Sequence, residues 1–246
     1  MIPLSGKTAL ITGAAKRLGR ATALALATEG VNVVVHYHTA LSDAESVAAE
    51  IRQAGVKAWT IAANLSRASD VESLGARVNA AAGPVDFLIN NAAVFPESQL
   101  AVFPTEELLE DIRVNAVAPL LLARWLTQQG REGAIINFLD ARITDYDKDH
   151  ASYHLSKRML FSLTRMMALE FAPTIRVNAV APGLILPPKG KDESYLAELA
   201  STNPLERHGS AQDITDTVLF LLRSEFVTGQ VVFVDGGRHL RGSVYG

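Results

Sequence analysis

The stretch Lys7-Thr-Ala-Leu-Ile-Thr-Gly-Ala-Ala-Lys-Arg-Leu-Gly19 decides the fold of this chain. Its apolar first half is typical of a buried strand, and a helical pattern follows the glycines and continues to about Glu29. A glycine-containing turn between a strand and a helix suits a phosphate group, because the backbone can approach closely and the helix start offers free N–H groups. The stretch therefore predicts a phosphate-binding turn, with a plain tight turn as the alternative.

The alternation of strand and helix continues along the whole chain. Further strands are predicted at residues 31–36, 57–62, 86–90, 134–139, 175–181 and 230–234, separated by helices near 42–54, 69–82, 105–128, 153–171, 194–202 and 213–224. Capping boxes are expected at Ser42 with Glu45 and at Ser69 with Glu72. Strands that are apolar throughout favour a parallel sheet covered on both faces. We therefore predict an α/β fold, a single doubly wound Rossmann-type domain of about seven strands over residues 1–246.

Composition excludes several classes of protein. The chain has 246 residues, of which 48% are apolar, and a net charge of −3, so it carries no electrostatic footprint for nucleic acid or an anionic membrane. It has no cysteine, which excludes disulfides and thiolate metal sites. No apolar run reaches the length of a membrane span, and no signal sequence precedes the first strand. A cytoplasmic protein is expected.

A second motif follows the fifth predicted strand. Tyr153 and Lys157 stand four residues apart at the start of a helical pattern, so they share one helix face. An ammonium one turn away favours the phenolate and is expected to lower the tyrosine pKa from about 10. Asp140 ends the preceding strand and should lie beside Tyr153. The three residues predict a proton-transfer site, and a half-buried tyrosine under a surface lysine is the alternative.

Several polar or glycine-rich segments follow strands and should line one crevice at the carboxyl ends of the sheet. After the second strand the segment His36-Tyr37-His38-Thr39 carries no carboxylate of the kind that binds a free ribose 2′-hydroxyl. Together with Arg17, this favours a 2′-phosphate and hence NADP(H). His150 and His154 have the spacing of a metal pair, but no third ligand stands at motif spacing, so no metal site is expected.

Taken together, these motifs resemble the short-chain dehydrogenase/reductase family over nearly the whole chain. The matching segments are Thr12-Gly13 to Gly19, Asn64-Leu65, Asn90-Asn91-Ala92, Asn115, Tyr153 with Lys157, and Pro182-Gly183. Within the family the chain is most similar to pteridine reductases and to bacterial dihydromonapterin and dihydrofolate reductases. Asp140 stands where most members have a serine, thirteen residues before the tyrosine, and Phe95 matches the aromatic residue that stacks on the pterin.

The resemblance implies catalytic, cofactor-binding and substrate-binding residues. The catalytic group would be Asp140, Tyr153, Lys157 and Asn115. The cofactor NADPH would be held by Gly13, Arg17, Leu18, Gly19, His36, Tyr37, His38, Thr39, Asn64, Leu65, Asn91, Ala92, Ala93, Tyr153, Lys157, Pro182, Gly183 and Leu184. The substrate would contact Arg17, Phe95, Asp140, Tyr153 and Leu186. The resemblance also implies a homotetramer.

The expected activity is the NADPH-dependent reduction of a pterin-type C=N bond, from a dihydropterin or dihydrofolate to the tetrahydro form. Serine donates a hydrogen bond to a carbonyl oxygen, whereas an ionised aspartate only accepts. A carboxylate would oppose the negative charge that develops on a reduced carbonyl, so Asp140 suits an imine better. One alternative is a general carbonyl or alcohol oxidoreductase, and another is a catalytically silent binding protein.

Replacement of Arg17 tests the predicted phosphate contact. We expect Arg17→Gly to weaken NADPH binding far more than NADH binding, by about 1.5–3 kcal/mol for one lost charged hydrogen bond. Dissociation constants of the two nucleotides for the wild type and the variant provide the measurement. An unchanged preference for NADPH over NADH would show that Arg17 does not bind the 2′-phosphate.

Overall fold

The computed structural model describes residues 3–188 and 190–241. Seven strands form one parallel sheet in the order β3-β2-β1-β4-β5-β6-β7. They are β1 Thr8–Ile11, β2 Asn32–Tyr37, β3 Ala58–Ala62, β4 Phe87–Asn90, β5 Gly133–Phe138, β6 Ile175–Pro182 and β7 Val231–Val234. The predicted fold class is therefore confirmed. The extent of the domain over 1–246 stays a prediction.

Helices cover both faces of the sheet. They are α1 Arg17–Thr28, α2 Leu41–Gln53, α3 Ala68–Ala82, α4 Thr105–Ile112, α5 Ala118–Gln128, α6 Ala151–Glu170, α7 Glu193–Leu199 and α8 Ala211–Arg223. Side chains alternate along each strand, so Ile11 and Val35 pack with α1, α2 and α8, while Leu10 and Val34 pack with α3, α5 and α6. Of the helices in the described ranges, none is long and apolar enough to cross a membrane.

Both predicted capping boxes are wrong. Helix α2 begins at Leu41 and α3 at Ala68, so each serine already lies inside the helix, and neither N-cap residue makes a side-chain cap hydrogen bond. The Glu45 carboxylate instead accepts a hydrogen bond from the Thr60 hydroxyl across 2.6 Å. A reciprocal capping box is present at the start of α8, between Ser210 and Asp213.

The predicted long helix over residues 105–128 is divided by a π-helical turn at Arg113–Val117, between α4 and α5. Pro119 lies just beyond this turn and has no N–H to donate to the carbonyl four residues earlier. Asn115 lies in the turn and is fully buried. Its side-chain amide accepts from the Val94 N–H (2.9 Å) and donates to the Val94 carbonyl (3.0 Å), so the turn is tied to the loop after β4.

The packing of α3 on α5 generates a test of the fold. A Cβ added to Gly75 would lie only 2.5 Å from Nε1 of Trp125, so the indole ring would have to move. We expect Gly75→Ala to lower the free energy of unfolding by about 1–2 kcal/mol, because overpacking outweighs the gain in helix propensity. Urea unfolding measures the change.

Ala76→Ser is the matched control, since Ala76 is exposed on the same helix. Its free energy of unfolding should stay within about 0.5 kcal/mol of the wild type. Equal stability of Gly75→Ala and the wild type would contradict the tight contact.

Candidate active site

A cleft of about 790 Å³ runs along the carboxyl ends of the strands. It is lined by eighteen of the predicted site residues, which are Gly13, Arg17, Leu18, Gly19, His36, His38, Asn64, Leu65, Asn91, Ala92, Ala93, Phe95, Asp140, Tyr153, Lys157, Pro182, Gly183 and Leu186. Lys16 and Ser66 also line it and were not predicted. The loops after β1, β3, β4, β5 and β6 thus meet at one site.

Four predicted residues lie outside this lining. Tyr37 alternates with His36 and His38 along the strand, so its side chain packs on the opposite face, against the core. Thr39 is exposed beyond the strand end. The Leu184 carbonyl accepts a hydrogen bond from the Gly209 N–H (2.9 Å), and Asn115 is buried behind the cleft.

The predicted phosphate turn is held by close backbone contacts. Gly13 has a φ of +63°, which favours glycine, and a Cβ on Gly19 would lie 2.5 Å from Nδ2 of Asn91. That amide donates to the Thr12 carbonyl (2.9 Å) and to the Gly13 carbonyl (3.2 Å). The Thr12 hydroxyl accepts the N–H groups of Asn91 and Ala92, each across 3.0 Å. Thr12, directly after β1, was not among the predicted site residues.

Arg17 links two loops of the cleft. Its guanidinium Nη2 donates to the Pro187 carbonyl across 2.9 Å, so it ties the turn after β1 to the loop after β6. Its backbone φ is +53°, a conformation in which glycine is unstrained. Arg17→Gly therefore removes the side chain without a backbone penalty. The neighbouring Lys16 ammonium lies 3.0 Å from the Asp43 carboxylate.

His36 supports the turn through both ring nitrogens. Its Nδ1 accepts the Gly13 N–H across 3.1 Å, and its Nε2 lies 3.2 Å from the Ala63 carbonyl. Burial lowers the pKa of His36 to about 4, so the ring is neutral at pH 7. The ring lines the cleft as predicted, but its hydrogen-bonding groups are already used by the backbone.

The predicted proton-transfer residues lie in contact. The Tyr153 hydroxyl donates to Oδ2 of Asp140 across 3.0 Å, while Oδ1 accepts the Arg142 N–H across 2.7 Å. Burial, followed by the charge of Asp140, raises the pKa of Tyr153 well above its usual value. The expected lowering of this pKa by Lys157 is therefore wrong, because desolvation and a carboxylate both oppose the phenolate. The tyrosine holds its proton at neutral pH.

Lys157 is buried beneath the tyrosine. Its ammonium donates to the Phe138 carbonyl across 2.7 Å and lies 5.7 Å from the centroid of the Tyr153 ring. Burial lowers the pKa of Lys157 to about 8, although the charge of Asp140 opposes the shift. The surface-lysine alternative is thus excluded.

Asn115 reaches the tyrosine helix through a serine. Its amide Nδ2 donates to the Ser156 hydroxyl across 2.9 Å, and that hydroxyl donates to the Tyr153 carbonyl across 2.7 Å. Ser156 is fully buried and was not predicted. The π-helical turn therefore supports the helix that carries Tyr153 and Lys157.

Phe95 is 51% exposed in the cleft, which excludes core filling as its role. Its ring meets the Tyr153 ring edge-on, with 4.5 Å between centroids, and stacks on His150 at 3.9 Å. His150 and His154 both contact the Asp147 carboxylate. Over residues 3–188 and 190–241 the structure has no group of three or more His, Cys, Asp or Glu side chains that could hold a metal ion.

A family model described as "Enoyl-(Acyl carrier protein) reductase", a short-chain dehydrogenase model, matches residues 13–239. The chain belongs to the short-chain dehydrogenase/reductase family. The 3-oxoacyl-(acyl-carrier-protein) reductase FabG of Staphylococcus epidermidis is 34% identical over 242 residues, which cover 95% of this chain and 99% of that protein.

Two solved structures are also similar to this short-chain reductase. FolM alternative dihydrofolate reductase 1 from Brucella canis, complexed with NADP, has a TM-score of 0.90 and 31% identity, covering 97% of this chain and 96% of that chain. The promiscuous reductase LugOII, described as catalysing keto-reduction at C1 during lugdunomycin biosynthesis, has a TM-score of 0.89 and 32% identity, covering 97% of this chain and 100% of that chain.

The buried neutral His36 generates a pH prediction. Its folded pKa of about 4 lies below the ordinary histidine pKa of 6.5, so the unfolded chain binds the proton more readily between these values. Stability contributed by the neutral ring is present above pH 6.5 and is lost as the pH falls toward 4. The loss reaches about 3 kcal/mol of unfolding free energy.

Urea unfolding at pH 7.5 and pH 5 measures the part of this loss that occurs above pH 5, about 2 kcal/mol. His36→Asn, which does not titrate but can still accept from Gly13, should lose less stability over the same interval than the wild type. Identical pH dependence of the two proteins would show that His36 is not the titrating group.

Proposed function

We propose that this short-chain reductase uses NADPH to reduce a pterin-type C=N bond, with dihydropterin or dihydrofolate as substrate. The observation that carries the proposal is the Asp140 carboxylate, 3.0 Å from the Tyr153 hydroxyl, at the position where most family members have a serine. The exposed Phe95 ring beside Tyr153 supports a flat substrate. The likeness to FolM alternative dihydrofolate reductase 1 supports the same substrate class.

The cleft fits a dinucleotide cofactor. The absence of a side chain at Gly13 and Gly19 lets the pyrophosphate approach the backbone at the start of α1. Lys16 and Arg17 supply two positive charges in this part of the cleft for the 2′-phosphate of NADP. Bound NADPH supplies the hydride for the carbon of the C=N bond.

Tyr153 supplies the proton that the substrate nitrogen gains, and Lys157 and Asp140 both act on the Tyr153 hydroxyl. Tyr153 keeps its proton, because its pKa lies above the usual value, and presents the hydroxyl to the cleft. The Lys157 ammonium below the ring favours the negative charge that develops on the tyrosine oxygen when the proton leaves. Asp140 holds the hydroxyl in place by accepting its hydrogen bond.

The same carboxylate distinguishes a C=N bond from a C=O bond. Both Asp140 oxygens already accept a hydrogen bond, one from Tyr153 and one from the Arg142 backbone. Such a group accepts from the amino and N–H groups of a pterin, but it opposes negative charge on a ketone oxygen. Stacking of a pterin on Phe95 adds about 0.5–1.5 kcal/mol beyond the burial of its area.

A carbonyl reductase is the second candidate function. The 34% identity to a 3-oxoacyl-(acyl-carrier-protein) reductase favours it, as does the likeness to the keto-reductase LugOII. NADPH oxidation by the purified protein with dihydrobiopterin, dihydromonapterin and dihydrofolate, beside ketones and quinones, separates the two. Turnover of ketones alone would establish the second candidate and remove the first.

Asp140→Ser tests the residue on which the proposal depends. We expect kcat/KM for the pterin to fall at least about tenfold, because the Tyr153 hydroxyl loses the carboxylate that holds it and a positioned acid–base group contributes about 10²–10⁴ to a rate. Reduction of ketones should stay equal or rise, because serine donates a hydrogen bond to the carbonyl oxygen. Steady-state kinetics with both substrate classes gives the ratio.

Asp216→Ser is the control, since Asp216 is exposed on α8 and does not line the cleft. Its kinetic constants should match those of the wild type. Full retention of pterin turnover by Asp140→Ser would mean that the carboxylate takes no part in the reaction.

A further inference from the structure

The loop that carries Phe95 is fastened to the start of the helix that carries Tyr153. The Ser98 N–H donates to the Asp149 carbonyl (2.6 Å), and the Ala151 N–H donates to the Ser98 carbonyl (2.9 Å). The Ser98 hydroxyl also accepts the Ser152 N–H across 3.0 Å. Phe95 and Tyr153 therefore belong to one unit held by two backbone–backbone hydrogen bonds and one from the backbone to the Ser98 side chain.

A buried carboxylate extends this fastening. The Ser152 hydroxyl donates to Oδ2 of Asp111 across 2.6 Å and lies 2.8 Å from the Ser98 hydroxyl. All three side chains are buried. Helix α4, the Phe95 loop and the first turn of α6 are thus joined by polar contacts that water does not reach.

A second carboxylate holds the histidine that backs Phe95. The two oxygens of Asp147 contact His150 Nδ1 (2.9 Å) and His154 Nε2 (3.0 Å), which lie one helical turn apart. Burial alone would raise the pKa of Asp147, but the hydrogen bonds of His154 and His150 lower it well below its usual range. Arg142 lies 3.3 Å from the same carboxylate. An ionised Asp147 therefore fixes both imidazole rings.

The fixed His150 ring lies flat on Phe95. The two centroids are 3.9 Å apart and the planes differ by only 12°, so one face of Phe95 is covered. Phe95 lines the cleft, whereas His150 does not. The imidazole thus stands behind the phenyl ring and leaves the cleft side of that ring to a substrate.

We propose that His150, held by Asp147, is a specificity-determining residue that fixes Phe95 as the wall on which a flat heteroaromatic substrate stacks. This inference rests on the proposed function and deepens it. An unsupported phenyl ring that is half exposed can adopt several rotamers, and fixing it removes an entropy cost from substrate binding. His150 acts through Phe95 and is a positioning residue.

Steady-state kinetics of His150→Ala and His150→Phe with NADPH and dihydrobiopterin tests the proposal. We expect His150→Ala to raise KM for the pterin about three- to tenfold, the loss of one aromatic stack, with kcat within about twofold of the wild type. His150→Phe restores a stacking ring without the contact to Asp147, so its KM for the pterin should lie between those of His150→Ala and the wild type. KM for NADPH should not change in either variant.

Lys148→Ala is the matched control for disturbance of the loop, since Lys148 is exposed beside Asp147 and does not line the cleft. Thermal unfolding checks that each variant folds. An unchanged or lowered pterin KM in His150→Ala would overturn the proposal, as would a His150→Phe variant no better than His150→Ala. A wild type that turns over no pterin would contradict the proposed function, and the inference would fall with it. A wild type that turns over the pterin, with an unchanged KM in His150→Ala, would contradict the inference alone.

Discussion

The carboxyl ends of the strands all lie at one edge of the parallel sheet, and every group of the site depends on that constraint. Parallel pairing requires a crossover helix after each strand, so the loops that leave this edge are the ones that can meet. Residues as distant in sequence as Arg17 and Pro187 are thereby brought into hydrogen-bond contact. The sheet supplies rigidity, and the loops supply chemical groups.

Two opposite charges act on one buried phenol in this site. Burial and then the charge of Asp140 raise the pKa of Tyr153, whereas the charge of the Lys157 ammonium, 5.7 Å from the ring centroid, acts in the opposite direction. Desolvation strengthens both effects, because Tyr153 and Lys157 are almost completely buried.

Periodicity predicted the strands and their parallel arrangement, because buried parallel strands are apolar throughout. Adjacent motifs predicted the contact between Asp140 and Tyr153, since a strand end and the next helix start meet at one edge. The pKa direction of Tyr153 escaped prediction, because burial is a property of the packed chain. The contacts of Asp147 with His150 and His154 and the hydrogen bond from Arg17 to the Pro187 carbonyl were not predicted either, since neither follows a local sequence pattern. Helix starts were misplaced where a serine lay inside the first turn.

The π-helical turn at Arg113–Val117 places one extra residue in the helical segment between α4 and α5. A π turn holds one residue more than the α-helical turn it replaces, and successive residues of an α-helix are about 100° apart around its axis. The wider turn takes up the extra residue, so the helix beyond it is not rotated. Loss of that residue would close the turn into a continuous α-helix that keeps α5 against α3 and β4, but it would displace Asn115 from the position where its amide contacts the Val94 backbone. The extra residue therefore matters for the loop after β4 that lines the cleft, and the packing of α5 on the sheet does not depend on it.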